Sequence, residues 1–470
     1  MNDTMLWEQA EERLLTAELA DVMRGEGASA EDRGCSWRQL AMAALVVLGT
    51  AVTLGVAWLA RTPEAPAQEP PFDAVDPWYE HEWPFRSGWV TALVQPVPVA
   101  STPAGADEFV LTLRDAECSE LAAALDRPVL KRLSLSWRND GASANVSDAL
   151  WQRLVAREDL EALQFAGPFA LPPERLRELR RLPRLRYLML DGAGVSLDRA
   201  TAEALAELPR LRGLFLASMA LTAGGVRALG ALPHLEVLGL SHPTGDVPAW
   251  AAALPQLRSL RAVLLEQETS ESFVDASLVR RLRDLPRLVA LDLCSVDLDD
   301  AALAALPPGL ELLGLSGLER CSDAGIGALA GLRALRTLRL RQDVPEALRA
   351  RLYEAIRELP IGRVDLLVGT LDAPLWRVLQ QLPALRRVEV RQPVPQASMF
   401  AGAAACRRLE VLTVHCSRLP DPESLAALRD HATLRRLVFA SDQTGWTPFD
   451  AAGLAALKAS IAVPIAVQLR

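Results

Sequence analysis

What this 470-residue sequence lacks narrows the field before anything it contains. No G-x-S-x-G, H-E-x-x-H, G-x-G-x-x-G or P-loop occurs, so no motif speaks for a hydrolase of the nucleophile-elbow type, a zinc protease or a nucleotide-dependent enzyme. The six cysteines form no C-x-x-C pair and the five histidines stand at no metal-ligand spacing from them, which removes the sequence grounds for a zinc site. Aromatic residues are only 5% of the chain, and lysine occurs only at Lys131 and Lys458. The net charge of −9 gives no overall basic field of the kind that neutralises phosphates, so a nucleic acid is not an expected partner. An arginine-for-lysine bias this strong fits the codon usage of a GC-rich, bacterial genome. The expectation is a chain with no catalytic residues, no metal and no cofactor.

What is present is a beat. An L-x-x-L-x-L pattern returns every 22 to 31 residues, clearest at Leu185/Leu188/Leu190, Leu211/Leu214/Leu216, Leu235/Leu238/Leu240 and Leu335/Leu338/Leu340. A repeat of this length is one short strand and one return segment, and it cannot bury its own apolar edge, so only stacking makes a core. Turns register near Glu108, Leu130, Leu160, Leu185, Leu211, Leu235, Leu257, Leu288, Leu310, Leu335, Ile361, Leu385, Leu409, Leu434 and Ala462, about fifteen in all. Between them the chain reads helical, as in GVRALGAL before Leu235 and LWRVLQQL before Leu385. Asp421-Pro422-Glu423 and Thr447-Pro448-Phe449-Asp450 each look like helix starts, with an N-cap followed by a proline in the first turn. The predicted fold class is α/β: a curved leucine-rich-repeat solenoid over 106–470, with parallel strands on its concave face and helices on its convex face.

Ahead of the repeats, residues 39–60 are an uncharged run of 22. As a helix it would rise about 33 Å, enough to cross a bilayer core. Arg38 and Arg61 bracket it, Trp37 and Trp58 lie at its ends, and the acidic segment before it is unlike the short basic start of a signal peptide. Arg24, Arg33 and Arg38 precede the run while Arg61 alone follows closely, so the positive-inside rule keeps the N-terminus cytoplasmic and places the repeats in the periplasm or outside the cell. Residues 1–38 then form a cytoplasmic tail with a short amphipathic helix. Residues 61–105 form a proline-rich linker followed by an aromatic cluster, Trp78, Tyr79, Trp83, Phe85 and Trp89, suited to capping the first repeat.

The segments CSDAGIGALAGLRALRTLRL from Cys321 and LTAGGVRALGALPHLEVLGL from Leu221 resemble leucine-rich repeats of the ribonuclease-inhibitor-like and cysteine-containing types. The resemblance covers about three quarters of the chain and implies a scaffold that binds partners. Family repeats carry Asn or Cys three residues after the last strand leucine, where the side chain satisfies turn backbone. Here that place holds Ala193, Met219, Pro243, Val296, Leu318, Asp343, Ser417 and Asp442, which predicts looser, less regular turns.

On such a scaffold the non-leucine strand positions stand side by side. In the first half they are weakly polar: Tyr187, Met189, Phe215, Ala217, Gly239 and Ser241. In the second half they gather Arg336, Arg339, Arg341, Arg363, Arg386, Arg387, Arg391, Arg435 and Arg436, with Asp365, Glu389 and His415 among them. These arginines are the candidate partner-binding residues, facing a protein or an acidic envelope polymer, because guanidinium forks pair with carboxylates. The bland alternative is solvated strand arginines paired with Asp365 and Glu389. Asp297, Asp299 and Asp300 read as a helix cap before AALAAL rather than a calcium site. His415 and Cys416 are strand neighbours that point to opposite faces, so they do not form a thiolate pair. Cys406 and Cys416 flank one strand, and the sequence leaves open whether they are bridged or free. The functional expectation is a single-pass membrane protein whose exported repeats bind without catalysis; the alternative is a membrane-tethered signalling regulator that docks a cytoplasmic factor through residues 1–38.

Overall fold

The structure is a computed structural model of the chain. It describes residues 108–113, 119–137, 146–440 with interruptions at 168, 170, 193–195, 268–273, 295–297, 341–343 and 367–372, and 451–468 apart from 462 and 464. The chain divides after Asp76, and all described residues belong to the unit that begins at Pro77. The expected tail, membrane helix, linker and aromatic cap therefore lie outside the described residues, as do Arg341, Asp297 and the helix start at Thr447. Among the described residues no helix is long and apolar enough to cross a membrane.

Fifteen strands form one parallel sheet in sequential order. They are β1 Glu108–Leu113, β2 Arg132–Trp137, β3 Ala162–Ala166, β4 Tyr187–Asp191, β5 Gly213–Ala217, β6 Val237–Ser241, β7 Ala262–Glu266 and β8 Ala290–Cys294. The second half continues with β9 Leu312–Leu315, β10 Thr337–Leu340, β11 Arg363–Leu366, β12 Arg387–Arg391, β13 Val411–His415, β14 Arg436–Ala440 and β15 Ile465–Gln468. Registry runs straight across neighbours, so Leu188 pairs with Leu214, Leu214 with Leu238, Leu313 with Leu338 and Leu338 with Val364. The inward column from Leu163 through Leu188, Leu214, Leu238, Val263, Leu291, Leu313, Leu338, Val364, Val388 and Leu412 to Leu437 is at most 2% accessible. Each such side chain contributes about 1.5–3 kcal/mol by leaving water, so the beat itself is the source of cohesion.

The return segments follow from their caps and lengths. Asp198, Thr222, Asp275 and Asp299 each accept the backbone N–H three residues on, closing a helix start that would otherwise leave donors bare. Several short helices finish in a 3-10 turn, as at Leu229–Ala231 and Leu329–Gly331, which brings Leu232 and Leu332 back to the core. At Pro422–Leu428 the whole return is 3-10 and Asp421 makes no side-chain cap bond, unlike the capped α-helix the sequence suggested. A 3-10 segment rises further per residue and so bridges the two strands with few residues.

Two details differ from what the sequence suggests. Leu257 does not start the seventh turn: Leu260 does, because the strand pairs Val263 with Leu238 and Leu265 with Leu240. Leu257 and Leu260 are both buried, and the pattern fits at either place until the strand partner decides. The turns without the asparagine ladder are also more regular than expected where they are described. Met219 and Leu318 are buried in the core instead, and a second small parallel ladder joins Ser196–Leu197 to Ala220–Leu221. Thr244 N–H donates to the Met219 carbonyl and Leu221 N–H to the Thr244 carbonyl, both at 2.9 Å, so backbone does the work asparagine does elsewhere. Gly167, Ser218, His242 and Gly317 each follow the first strand residue by five and share a left-handed φ between 46° and 105°, one geometry repeated at the strand exits.

Candidate binding face: an internal ion-pair ladder and an exposed basic edge

The strand residues that do not enter the leucine core form rows on the opposite, open face of the sheet. In the first half these rows mix aromatic and apolar side chains with polar ones, among them Ser134, which donates to Gln164 on the next strand. Room for the rings comes from glycine: a Cβ at Gly213 would stand 2.6 Å from the Tyr187 ring, and one at Gly239 would stand 2.0 Å from the Phe215 ring. Val237, Ala262, Ala290 and Leu312 on β6–β9 make a second buried apolar cluster apart from the main core.

In the second half the same rows carry charge, and most of that charge is spent internally. Register aligns Gly314 with Arg339, Arg339 with Asp365, Asp365 with Glu389, and Glu389 with Thr413. Arg339 donates from Nε to Asp365 at 2.8 Å and lies 3.6 Å from the Asp292 carboxylate. Arg363 donates to Asp365 at 2.7 Å and to Glu389 at 3.0 Å. Glu389 in turn meets His415 Nε2 at 2.6 Å. The result is a continuous ladder from β8 to β13 whose members are mostly hidden: the side chains of Asp292, Arg363, Asp365 and His415 are no more than 4% exposed. The His415 imidazole closes the ladder at β13, beside Glu389.

Gly314 is what allows the ladder to skip a strand. A Cβ there would lie 2.2 Å from an Asp292 carboxylate oxygen, so the aspartate rests over the glycine and reaches toward Arg339 on the far side. Burial raises the Glu389 pKa, but the hydrogen bond from His415 and the charges of Arg363, His415 and Arg339 outweigh it and hold the carboxyl well below the usual glutamate range.

Of the predicted partner-binding residues, Arg339 and Arg363 are therefore members of an internal network and not anion-facing groups. Their guanidiniums are taken by Asp292, Asp365 and Glu389: Arg339 shares one row with these three carboxylates, and Arg363 stands in the next row, two residues before Asp365 on the same strand and diagonal to Glu389. Arg336, Arg386 and Arg435 do not stand on the open face. Each precedes its strand and runs along the sheet edge where the strands begin, in one hydrogen-bonded column with Glu311 and Glu410. All three are exposed, and Arg386 pairs with Glu410 at 2.6 Å. Arg387 is half-buried at the start of β12, while Arg391 and Arg436 are exposed on β12 and β14. Arg341 lies outside the described residues.

Asp292 and Gly314 were absent from the sequence reading, although both sit at the strand position held by Arg339, Asp365 and Glu389 and could be found by aligning the repeats. Arg407 and Arg408 were also missed, because they lie in a turn and not on a strand. The other chemistry-bearing groups are structural. Asp299 caps the helix Asp300–Ala304, and Asp300 accepts the Ser322 N–H at 2.7 Å. Among the described residues no group of three His, Cys, Asp or Glu could hold a metal ion. Cys294, Cys321, Cys406 and Cys416 are free thiols. Cys416 is fully buried in the leucine core while His415 belongs to the ladder on the other face. Burial pushes the Cys406 thiol up to about 12, and burial together with Asp300, Asp299 and Glu319 pushes Cys321 up to about 11, so neither is an activated nucleophile.

This arrangement is that of a leucine-rich, parallel-strand solenoid, a class that presents rows of side chains from successive repeats. Among solved structures it is similar to an internalin from Listeria monocytogenes, with 15% identity over 77% of this chain and 86% of the other, at a TM-score of 0.32. It is also similar to TLR13 in its complex with ssRNA13, with 16% identity, 73% of this chain, half of the other and a TM-score of 0.34. No family model and no curated relative matches the sequence.

Proposed function

We propose that the chain is a membrane-anchored binding scaffold: residues 39–60 span the bilayer, the repeats stand on the far side, and they capture a protein or an acidic envelope polymer without catalysis. The observation that carries the binding half is the split among the second-half arginines. A ladder buried in its own carboxylates fixes the sheet, while Arg336, Arg386, Arg391, Arg435 and Arg436 stay exposed on alternate repeats, at β10, β12 and β14. Groups presented at regular spacing from a rigid frame suit recognition of an extended acidic surface. The apolar run bracketed by Arg38 and Arg61 supports the anchor.

The test has two arms. Protease added to intact spheroplasts should digest the repeats; repeats that stay protected while the tail is cleaved would reverse the proposed orientation. Replacing Arg391, Arg435 and Arg436 with serine should reduce cross-linking of the full chain to its envelope partners, and undiminished cross-linking would remove this rim as the interface.

A further inference from the structure

The turns that lead into β12 and β13 enclose an open crevice of about 760 Å³, lined by Leu379–Pro383, Leu385 and Ala404–Arg408. It is closed beneath by Leu379, Leu382, Leu385 and Cys406, all of them buried. Its rim is polar. Gln380, Gln381, Arg407 and Arg408 are exposed there, and Arg408 donates across the crevice to the Pro383 carbonyl. Immediately beside it, on the same edge of the sheet, stand Arg386, Arg435 and Arg436. Thr433 Oγ1 donates to the carbonyls of Arg407 and Leu409, both at 2.9 Å, tying the next turn to this one and making the edge continuous.

The charge of this edge is out of keeping with the rest of the molecule. Five arginines, Arg386, Arg407, Arg408, Arg435 and Arg436, are answered at the strand edge by Glu410, which is taken by Arg386. The chain as a whole carries −9. Arg407, Arg435 and Arg436 make no side-chain hydrogen bond or ion pair among the described residues, in contrast to Arg339 and Arg363 on the open face. A guanidinium without a carboxylate is an available two-pronged donor.

We infer that this crevice and its arginine rim are a docking site for an acidic, extended protein segment. The inference deepens the scaffold reading and rests on it, but it moves the point of recognition from the open face to the edge. The segment's carboxylates pair with Arg407, Arg435 and Arg436, and its main chain meets the amides of Gln380 and Gln381. An anionic bilayer supplies the same sign of charge, but a flat surface cannot enter a crevice.

The experiment titrates the full chain, in detergent micelles, with labelled deca-glutamate and separately with vesicles containing phosphatidylglycerol. Wild-type chain binds the peptide, the affinity falls with added salt as screening predicts, and the Arg407→Glu/Arg435→Glu double variant loses at least about tenfold. Arg199→Glu, a reversal on a helix far along the solenoid, binds as wild type does. Both variants alter exposed side chains and are compared at matched melting temperature. Peptide affinity unchanged by the double reversal, no peptide binding, or vesicle binding without peptide binding each overturns the site. A chain whose partner is still captured through Arg336 and Arg391 in that case keeps the scaffold reading and loses only this crevice.

Discussion

Replacing Arg363 with methionine tests whether the ladder holds the second half of the sheet together. The substitution keeps much of the side chain's volume and removes the guanidinium, leaving Asp365 without its 2.7 Å partner and Glu389 without its 3.0 Å partner. Asp365 is 4% exposed and Glu389 15%, so water replaces the lost bonds poorly. Removing one partner from a buried pair costs about 3–5 kcal/mol, and because Asp365 keeps Arg339 and Glu389 keeps His415 the expected cost lies at the low end of that range. Solenoids can unfold in sections, so a single global melting curve is a poor readout. Hydrogen exchange of the β10–β12 amides reports the right region, and a loss of about 3 kcal/mol appears there as a roughly hundredfold fall in protection.

The pH dependence gives the same test a sign. Glu389 has its folded pKa lowered from an ordinary 4.5, so its contribution is fully present above that value and is lost as the pH falls toward the folded value. The gap between wild type and Arg363→Met should therefore be wide at pH 7 and narrow in acid. Protection within about twofold of wild type at pH 7, equivalent to under 0.5 kcal/mol, would refute the account of the ladder.

Gly314→Ala puts a Cβ against the Asp292 carboxylate and should weaken the same amides by a smaller amount, with Gly331→Ala, where no atom lies within 4 Å of the added Cβ, as the control. Leu338→Ala in the inward column should cost about 2–5 kcal/mol, read by denaturant titration of the second-half amides. Cys406, with its thiol pushed up to about 12, should resist iodoacetamide at pH 8 until denaturant is added; rapid native labelling would mean that the turn opens.

The sequence carried the repeat almost completely, because burial of one leucine face is dictated locally and repeated fifteen times. It was ambiguous only where leucines stood three apart twice over, as at Leu257 and Leu260, since the strand partner and not the pattern chooses between them. The face chemistry was legible in composition and illegible in partnership. Arg339, Arg363 and Arg436 look alike in the sequence, yet Arg339 has Asp365 beside it in its row, Arg363 has Asp365 two residues on along its own strand and Glu389 diagonally across, and Arg436 has Val411 beside it. Asp292 escaped notice because its partner lies two strands away, across a glycine whose role only the added Cβ reveals. Arg407 and Arg408 escaped because a search along strands does not see residues in turns.

A photo-cross-linking amino acid placed one position at a time at Arg435, Arg436, Arg407, Arg280 and Glu203 of the full chain, in living cells, tests the central claim most directly. All five side chains are exposed, the first three at the basic edge and the last two on return helices. The account predicts adducts to one partner from the edge positions and none from Arg280 or Glu203. Adducts from the helical positions with a silent edge would contradict it.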